Sequence, residues 1–449
     1  MNRFSTSRRG LLGAMAGAFV GMLAGPARSM GRIPVGGELS FSLPHDTTVL
    51  DPYDLFDPLV ALIGSAVFEP VYRQDLSGNI YASLAEGMPE REGENTRVRL
   101  RKGLVSARGS SLTARDLLAS VERARRSAAG AILQEIPEGK VDRSDLGVAI
   151  FRQVEPMALA QALSSPLVVL TSLGSTPSRP DGTGAFLAVP GRGGITLERN
   201  PHAARGPSFL RRIRITPAPD LKTSLRSFEA QQADIGWLGA GLHQPRHDAI
   251  AFDAGAVGWI VLRTGREAGD WDAPGVAQRL VDSIQPARLA HLGLGPFSSS
   301  AVTETWGGPA CKLLAPASCA HLVEVGATLA SILSRSGHEV ELSVMGSQEF
   351  KNRRQSRAFA LMVDVVRPVG PVGVASLVAL VAADDPARAS SIVKHPPRLS
   401  SFDPRVLART LRLGVVGGLR VAGATAPSVV MVLSKEGAGW DLGSVYRKR

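Results

Sequence analysis

Residues 99–126 read RLRKGLVSARGSSLTARDLLASVERARR, and this stretch decides the fold because it joins a strand to a capped helix. Residues 95–100 are predicted to form the strand, which ends at a turn around Gly103, where glycine tolerates the positive φ that turns demand. Thr113 can cap the helix that follows, and Asp116 three residues later completes a pair of the capping-box kind. The stretch therefore predicts a strand, a turn and a helix in succession.

Strands and helices also alternate along the rest of the chain. Residues 38–43 alternate polar and apolar side chains, which indicates a strand, and the apolar spacing over residues 59–72 indicates a helix. In the second half, a predicted helix over residues 321–334 is followed by predicted strands over 340–344 and 359–365. This mixture predicts α/β lobes, and about 420 mature residues are too many for one hydrophobic core, so we expect two or three domains.

The basic charge of the chain is spread out and does not indicate nucleic-acid binding. The 449 residues carry a formal net charge of +11, and basic runs such as residues 123–126 and 351–354 stand beside helical patterns. A nucleic-acid footprint would need clustered cations with aromatic stacking partners, whereas aromatic residues are only 5% of the chain. We therefore expect no nucleic-acid partner and interpret the charge as solubility.

The N-terminal segment is predicted to be a signal peptide, residues 1–29. Its apolar run has Arg8 and Arg9 before it and small residues after it, and it is too short to span a membrane. The arginine pair resembles the twin-arginine export signal, although the lysine usual near the end of that motif is absent; an ordinary Sec signal is the alternative. We expect cleavage after Ser29 or Ala27, no lipid anchor because no cysteine is nearby, and a mature chain free in the periplasm.

Several short stretches, in a fixed order, resemble one family: the extracytoplasmic solute-binding proteins of the peptide, dipeptide and nickel ABC importers. Each stretch alone is weak evidence, but their order over residues 39–238 is specific, and beyond residue 250 the likeness thins. The stretches are Leu50-Asp51-Pro52 with residues 67–72 (VFEPVY), residues 75–86 (DLSGNIYASLAE), residues 99–104 with 111–117 (SLTARDL), residues 182–186 (GTGAF), residues 197–201 (LERNP) and Ala233-Asp234-Ile235.

The resemblance implies an α/β fold, a two-lobed periplasmic binding protein of type II with an extra domain inserted in the first lobe. Ligand would be enclosed between the lobes, consistent with the general preference of binding sites for domain interfaces. The expected parts are lobe 1 (residues 30–43, 176–247 and 425–449), the inserted domain (residues 44–175) and lobe 2 (residues 248–424).

Candidate ligand-binding residues follow from the same resemblance. The family often places a polar contact just before the Leu-Asp-Pro motif, where this chain has Asp46; the alternative is that Asp46 only caps the next turn. Trp237 follows the last resembling stretch and could stack on ligand, although a tryptophan is more often core packing. Trp259, Trp271 and Trp306 are further candidates.

Residues 361–371 (LMVDVVRPVGP) depart from the family in an informative way. Peptide-binding relatives typically have a tryptophan and a second acid here, and their aspartate pairs with the peptide's amino terminus. Asp364 could serve as this amine partner, while Arg367 could pair bidentately with a carboxylate or phosphate. The alternative is that both are loop residues, paired with each other or solvated.

Cysteine and histidine residues are not expected to form a metal site. Cys311 and Cys319 are predicted to form a disulfide that closes a small loop, and two unpaired buried thiols are the alternative. His243 and His247 have helical spacing, but Pro245 between them disrupts the helix that would align them, so we favour a surface loop.

The sequence favours a binding protein over an enzyme. It contains none of the hydrolase, zinc-protease or phosphate-loop signatures, and a hydrolase is the enzyme alternative. The predicted function is the periplasmic substrate-binding subunit of an ABC importer, a monomer that captures a peptide or similar small polar solute without a cofactor. Its expected partners are the permease and ATPase subunits. The alternative is a degenerate binding protein that acts as a periplasmic sensor or interaction partner without transport.

Overall fold

The capped helix that the sequence predicts is present in the computed structural model of the protein. Thr113 is the N-cap residue: its Oγ1 accepts a hydrogen bond from the Arg115 amide at 3.3 Å, and Asp116 Oδ2 accepts one from the Thr113 amide at 2.9 Å. The capping box is thus confirmed. The structure describes residues 35–448, except 47, 129, 192, 237–245, 296–303 and 398–401. The predicted signal peptide, residues 1–29, lies outside the described residues.

Strands and helices are mixed along the whole described chain, which confirms the α/β prediction. The strands are β1 (Glu38–Leu43), β2 (Tyr72–Gln74), β3 (Ile80–Ala82), β4 (Glu90–Glu92), β5 (Asn95–Arg99), β6 (Gly139–Val141), β7 (Val148–Arg152), β8 (Phe186–Gly191), β9 (Gly194–Arg199), β10 (Arg212–Pro217), β11 (Ile235–Gly236), β12 (Ile250–Thr264), β13 (Cys311–Pro316), β14 (Val340–Met345), β15 (Leu361–Val366), β16 (Leu413–Thr425), β17 (Val429–Val430) and β18 (Tyr446–Arg447).

Most of the helices are short. The α-helices are α1 (Pro58–Ile63), α2 (Ala114–Arg125), α3 (Gly130–Leu133), α4 (Pro156–Ala162), α5 (Leu221–Glu229), α6 (Val276–Asp282), α7 (Pro286–Leu289), α8 (Ala320–Leu333), α9 (Ser347–Ser356), α10 (Gly373–Asp384), α11 (Pro386–Lys394) and α12 (Pro404–Ala408), with 3₁₀ turns at Gly64–Ala66, Arg266–Trp271 and Ala290–Leu292. Within the described ranges, no helix is long and apolar enough to cross a membrane.

One ten-stranded sheet runs through the structure in the order β14-β13-β15-β12-β16-β11-β1-β10-β9-β8. At one end, β14, β13 and β15 are parallel, and α8 lies between β13 and β14 in sequence. At the other end, β1 is parallel to β10 and β11, and β8, β9 and β10 form an antiparallel meander. A separate four-stranded sheet, β4-β5-β7-β6, lies wholly within the segment predicted to be the inserted domain. The exact domain bounds remain predictions.

The long antiparallel strands β12 and β16 connect the two ends of this sheet. Ile250 pairs with Thr425 next to β11, whereas Thr264 at the other end of β12 pairs with Leu361 of β15. The register between β12 and β16 shifts at several points from Asp253 to Val261, and Gly255 has a φ of 82°. Bulges of this kind bend a strand pair locally, so the two strands turn from one half of the sheet to the other.

The predicted helix over residues 59–72 is shorter in the structure. It ends at Ile63, and after one 3₁₀ turn the chain becomes extended and enters β2 at Tyr72. The carbonyl of Val67 accepts from the Gly184 amide, and the carbonyl of Glu69 accepts from the Leu170 amide. These carbonyls therefore bond to distant segments instead of continuing the helix, and the apolar spacing could not reveal that.

Gly103 and Gly184 are required for different reasons. Gly103 has a φ of 73°, as its predicted turn demands. Gly184 is not among the positive-φ glycines; a Cβ there would lie 2.6 Å from the carbonyl oxygen of Ala66 and 2.6 Å from the carbonyl carbon of Val67. At Gly184 it is the close approach of the backbone, and not a positive φ, that excludes a side chain.

The predicted disulfide between Cys311 and Cys319 is wrong in this structure, where both thiols are free. Cys311 begins β13 and Cys319 is the N-cap residue of α8 beyond its far end. A six-residue strand spans roughly 16–20 Å at ~3.3 Å per residue, and a disulfide requires Cα atoms within about 7 Å. The extended strand between the two cysteines thus prevents their pairing. Cys319 instead contacts His45, with 3.1 Å between Sγ and Nδ1.

The two glycines give a test of this packing. We expect Gly184→Ala to lower the free energy of unfolding by about 2–3 kcal/mol, because its Cβ meets main-chain atoms that cannot move aside. Gly103→Ala should cost about 1–2 kcal/mol, since only the left-handed backbone is strained and the surrounding space is open. Urea denaturation measures both. A Gly184→Ala variant as stable as the parent would contradict the close approach.

Candidate functional site

A cavity of about 260 Å³ lies where β12 passes between the two halves of the sheet. We call it the hinge cavity. Its wall combines the segment around α1 and β2, the middle of β12, the loop after β15 and a C-terminal segment. The lining residues are Pro52, Val60, Ala61, Leu62, Gly64, Ser65, Phe68, Pro70, Arg73, Gln74, Ser164, Pro166, Val169, Ala256, Val257, Trp259, Arg367, Pro368, Gly370, Pro371, Ser376, Ser434, Glu436, Gly437, Ala438, Gly439 and Trp440.

A second cavity, of about 740 Å³, lies nearby, and Pro52 lines both. We call it the basic cavity, because six arginine or lysine residues and only three aspartates line it. Its lining residues are Asp51, Pro52, Tyr53, Asp54, Phe56, Arg123, Arg126, Ser127, Ala128, Ser175, Thr176, Pro177, Arg263, Lys351, Arg354, Gln355, Arg357, Ala382, Ala383, Asp384 and Pro386.

Arg367 forms hydrogen bonds to the main chain at and near Pro52, the residue that lines both cavities. Its side chain is buried, with 5% exposed, and its Nη1 donates to the carbonyls of Pro52 at 3.3 Å and Asp54 at 2.8 Å. The Arg367 amide also donates to the Leu55 carbonyl at 2.9 Å. Arg367 therefore ties the loop after β15 to residues 51–57; its pairing with a ligand anion remains a prediction.

Asp364 is a strand residue, and its ion pairs are with Arg263 and Arg354, not with Arg367. It lies on β15 with 1% of its surface exposed, and Arg263 Nη1 is 3.2 Å from its Oδ2 while Arg354 Nη1 is 3.3 Å from its Oδ1. Burial raises the pKa of Asp364, although the two guanidinium groups oppose this. The alternative that Asp364 and Arg367 are paired with each other or solvated is thus wrong. Both oxygens of Asp364 already accept from this chain's own cations.

Asp54 is the corresponding acid on the other side of the basic cavity. Lys351 Nζ is 3.0 Å from its Oδ2, and Arg354 Nη2 is 3.6 Å from its Oδ1. Burial opposes its ionisation, but the fields of Arg354 and Lys351 prevail and lower the pKa of Asp54. Asp54 is therefore a charged partner for α9, which carries both Lys351 and Arg354.

The other candidate ligand-binding residues lie in different parts of the structure, and of those that the structure describes only one lines a cavity. Asp46 is exposed, and its Oδ1 accepts a hydrogen bond from the Thr48 amide at 2.9 Å. This is the contact expected if Asp46 only caps the turn that follows it. Trp237 lies outside the described residues. Trp259 is half-buried and lines the hinge cavity. Trp271 and Trp306 pack on each other with ring centroids 5.2 Å apart, and they line neither cavity.

No metal site occurs in the described part of the chain, where no group of three or more ligating side chains is close enough to hold an ion. His247 is exposed, and His243 lies outside the described residues. The surface loop expected for these two histidines therefore stays a prediction.

Sequence reasoning missed the ion pair between Arg73 and Glu436, which lines the hinge cavity. Arg73 Nη1 is 2.6 Å from Glu436 Oε1, with 11% and 23% of the side chains exposed. Tyr81 donates its hydroxyl to the same oxygen at 2.6 Å, and burial together with Glu436 raises the pKa of Tyr81 to about 12. Arg73 directly follows the family-like residues 67–72, but Glu436 is far away in sequence, so no local pattern could pair them.

Glu69 lies behind this cavity wall, between the lining residues Phe68 and Pro70. It is buried, its Oε2 has no hydrogen-bond partner among the described residues, and burial raises its pKa to about 7. The folded protein therefore binds this proton more tightly than the unfolded chain, whose glutamate titrates near 4.5. Its contribution to stability is present below about pH 4.5 and is lost as pH rises to about 7.

The raised pKa of Glu69 predicts how Glu69→Gln changes stability. Above pH 7 the variant should be more stable than the parent by up to about 3 kcal/mol, because it never carries a buried charge; at pH 4.5 the two should be nearly equal. Urea denaturation at several pH values measures the difference, with Glu341→Gln on the exposed face of β14 as the control. A pH-independent difference would rule out the buried ionisation.

No protein-family model and no curated protein matches this chain. Several solved structures, however, are similar to it. The oligopeptide-binding protein AppA from Bacillus subtilis, in complex with a nonapeptide, is 13% identical, with a TM-score of 0.68, over 93% of this chain and 100% of AppA. NikA from Staphylococcus aureus, in complex with Ni(L-His)2, is 14% identical, with a TM-score of 0.66, over 92% of this chain and 100% of NikA.

A third example is the ABC transporter-associated periplasmic binding protein DppA from Helicobacter pylori, in complex with the peptide STSA. It is 13% identical, with a TM-score of 0.67, over 93% of this chain and 99% of DppA. These similarities extend over nearly the whole chain and confirm the fold that the ordered sequence motifs predicted. The protein thus has the two-lobed α/β fold of the peptide- and nickel-binding solute-binding proteins.

Proposed function

We propose that this protein is the substrate-binding subunit of an ABC importer, exported to the periplasm, and that it captures a small polar solute in the hinge cavity. One observation carries the proposal: the cavity lies beside the bent middle of β12 and is lined from both sides of that bend. A solute there would contact the inserted segment and the second lobe together. Such contact is what favours the closed arrangement of two lobes around a ligand.

The lining of the hinge cavity indicates the chemistry of the solute. Arg73 and Glu436 offer one charge of each sign, serine hydroxyls and Gln74 offer neutral hydrogen bonds, and Trp259 and Trp440 offer indole faces. A solute with an ammonium and a carboxylate group could exchange with the resident ion pair without leaving a charge unpaired. We therefore propose a zwitterion such as an amino acid derivative or a short peptide.

The size of the cavity limits that class. At about 260 Å³ it lies slightly below the roughly 300–1,000 Å³ usual for small-molecule sites. A nonapeptide, which AppA holds in its solved structure, is far larger. In this closed arrangement the protein would enclose a solute of one or two amino-acid units.

Native mass spectrometry of the protein purified from its own periplasm tests the proposal first. We expect a co-purified solute of low mass, bound to a monomer. Calorimetric titration of the stripped protein with that solute then gives its Kd. Glu436→Gln and Arg73→Met should each weaken binding about tenfold or more, because each removes one charged partner of the solute.

Glu198→Gln is the matched control, since Glu198 pairs with Arg212 in an ion pair remote from the cavity lining. Equal affinity in all variants would reject the hinge cavity as the binding site. Solute uptake by cells that lack the gene separates transport from sensing. Normal uptake combined with tight binding would favour the sensor.

A further inference from the structure

Arg354 lies between two carboxylates that belong to different parts of the protein. It projects from α9 of the second half and has 9% of its surface exposed. Its Nη1 lies 3.3 Å from Asp364 Oδ1 on β15, and its Nη2 lies 3.6 Å from Asp54 Oδ1 on the loop before α1. One guanidinium, which lines the basic cavity, thus joins the segment predicted to be lobe 2 to the segment predicted to be the inserted domain.

An aromatic ring completes the surroundings of this guanidinium. Arg354 Cζ lies 3.9 Å from the ring centroid of Phe56, which comes from the same loop as Asp54. A cation held over an aromatic face and between carboxylates is the arrangement by which proteins recognise ammonium and guanidinium ligands. Here a side chain of the protein itself occupies that position.

Neutralising the two carboxylates does not require Arg354. Asp364 also pairs with Arg263, and Asp54 also pairs with Lys351. These three cations and two acids sum to a charge of +1, so removal of Arg354 would leave a neutral set. Among the ion pairs of the described residues, Arg354 is the cation that joins the acid of the second lobe to the acid of the inserted segment.

We propose that Arg354 is a resident cation that occupies the basic cavity in place of a ligand's amine or guanidinium group and holds the lobes closed. It thereby determines specificity, because amines and guanidines find both carboxylates and the Phe56 face already engaged. A solute is consequently selected at the hinge cavity and not at Asp364. This inference concerns closure and does not depend on which solute the hinge cavity takes.

The test is to remove the resident group and offer a free one. In Arg354→Ala, the gap beside Phe56 has the shape of a guanidinium group, so methylguanidinium at 10 mM should raise the Tm by about 2 °C. The parent protein should show no rise, and urea at 10 mM, planar but uncharged, should have no effect on either. Small-angle scattering should show a larger radius of gyration for Arg354→Ala, reduced again by methylguanidinium.

Arg353→Ala is the matched control, because Arg353 is the neighbouring residue on the same helix, is 43% exposed and pairs with Glu267 outside the basic cavity. It should behave as the parent. Arg354→Ala that remains closed and does not respond to methylguanidinium, or a response shared by Arg353→Ala, would overturn the proposal.

Asp54→Asn covers the case in which Arg354→Ala does not fold. It removes the carboxylate of the inserted segment, which both Arg354 and Lys351 contact, and leaves the Asp364 pairs intact, so we expect a larger radius of gyration without loss of the fold. An unchanged radius would show that the bridge does not hold the lobes. Methylguanidinium and the hinge-cavity solute are titrated separately, so failure here and failure of the importer proposal give different results.

Discussion

The pairing of β12 with β16 is the constraint on which the rest of the structure depends. These two strands lie at the centre of the ten-stranded sheet, and every connection between its two ends within that sheet passes through them. The main-chain hydrogen bonds of a central strand must be satisfied on both sides. The strands can therefore bend only where the ladder is interrupted, and the register shifts between Asp253 and Val261 provide that interruption. The hinge cavity lies beside these register shifts, where Ala256, Val257 and Trp259 of β12 line it.

Buried charge acts as the second constraint, and it affects geometry more than stability. Asp54, Asp364, Arg263 and Arg354 are all largely removed from water, which costs several kcal/mol per ion, and their attraction roughly offsets that cost. An ion pair of this kind tolerates little displacement, because a buried charge without its partner is strongly unfavourable. The geometry of this cluster is thus specified sharply even though the pairs add little net stability.

The sequence predicted the fold well, whereas its candidate ligand-binding residues stay predictions. Local signals, such as the capping box at Thr113 and the alternating strand at residues 38–43, depend on neighbouring residues and appear in the structure. The helix expected over residues 59–72 failed because carbonyls of that segment bond to residues more than 100 positions away. The disulfide failed because sequence proximity does not reveal that the intervening residues are extended. The partners of Asp364, on β12 and α9, and the pairing of Arg73 with Glu436 are likewise long-range contacts that no spacing rule could supply.

The two cavities differ in how far their charged and aromatic lining groups are already engaged by other side chains of the protein. In the basic cavity, Asp54 is engaged by Lys351 and Arg354, and the guanidinium of Arg354 covers the ring of Phe56. In the hinge cavity, Trp259 is half-buried and the Arg73–Glu436 pair stands at the wall. Arg367 separates the two by fixing the loop at residues 51–57, and it does so through main-chain carbonyls, which carry no net charge to release. A solute of the proposed class would therefore meet an engaged polar network at the basic cavity and the Arg73–Glu436 pair at the hinge cavity, and by exchanging with that pair it would lower the free energy on binding.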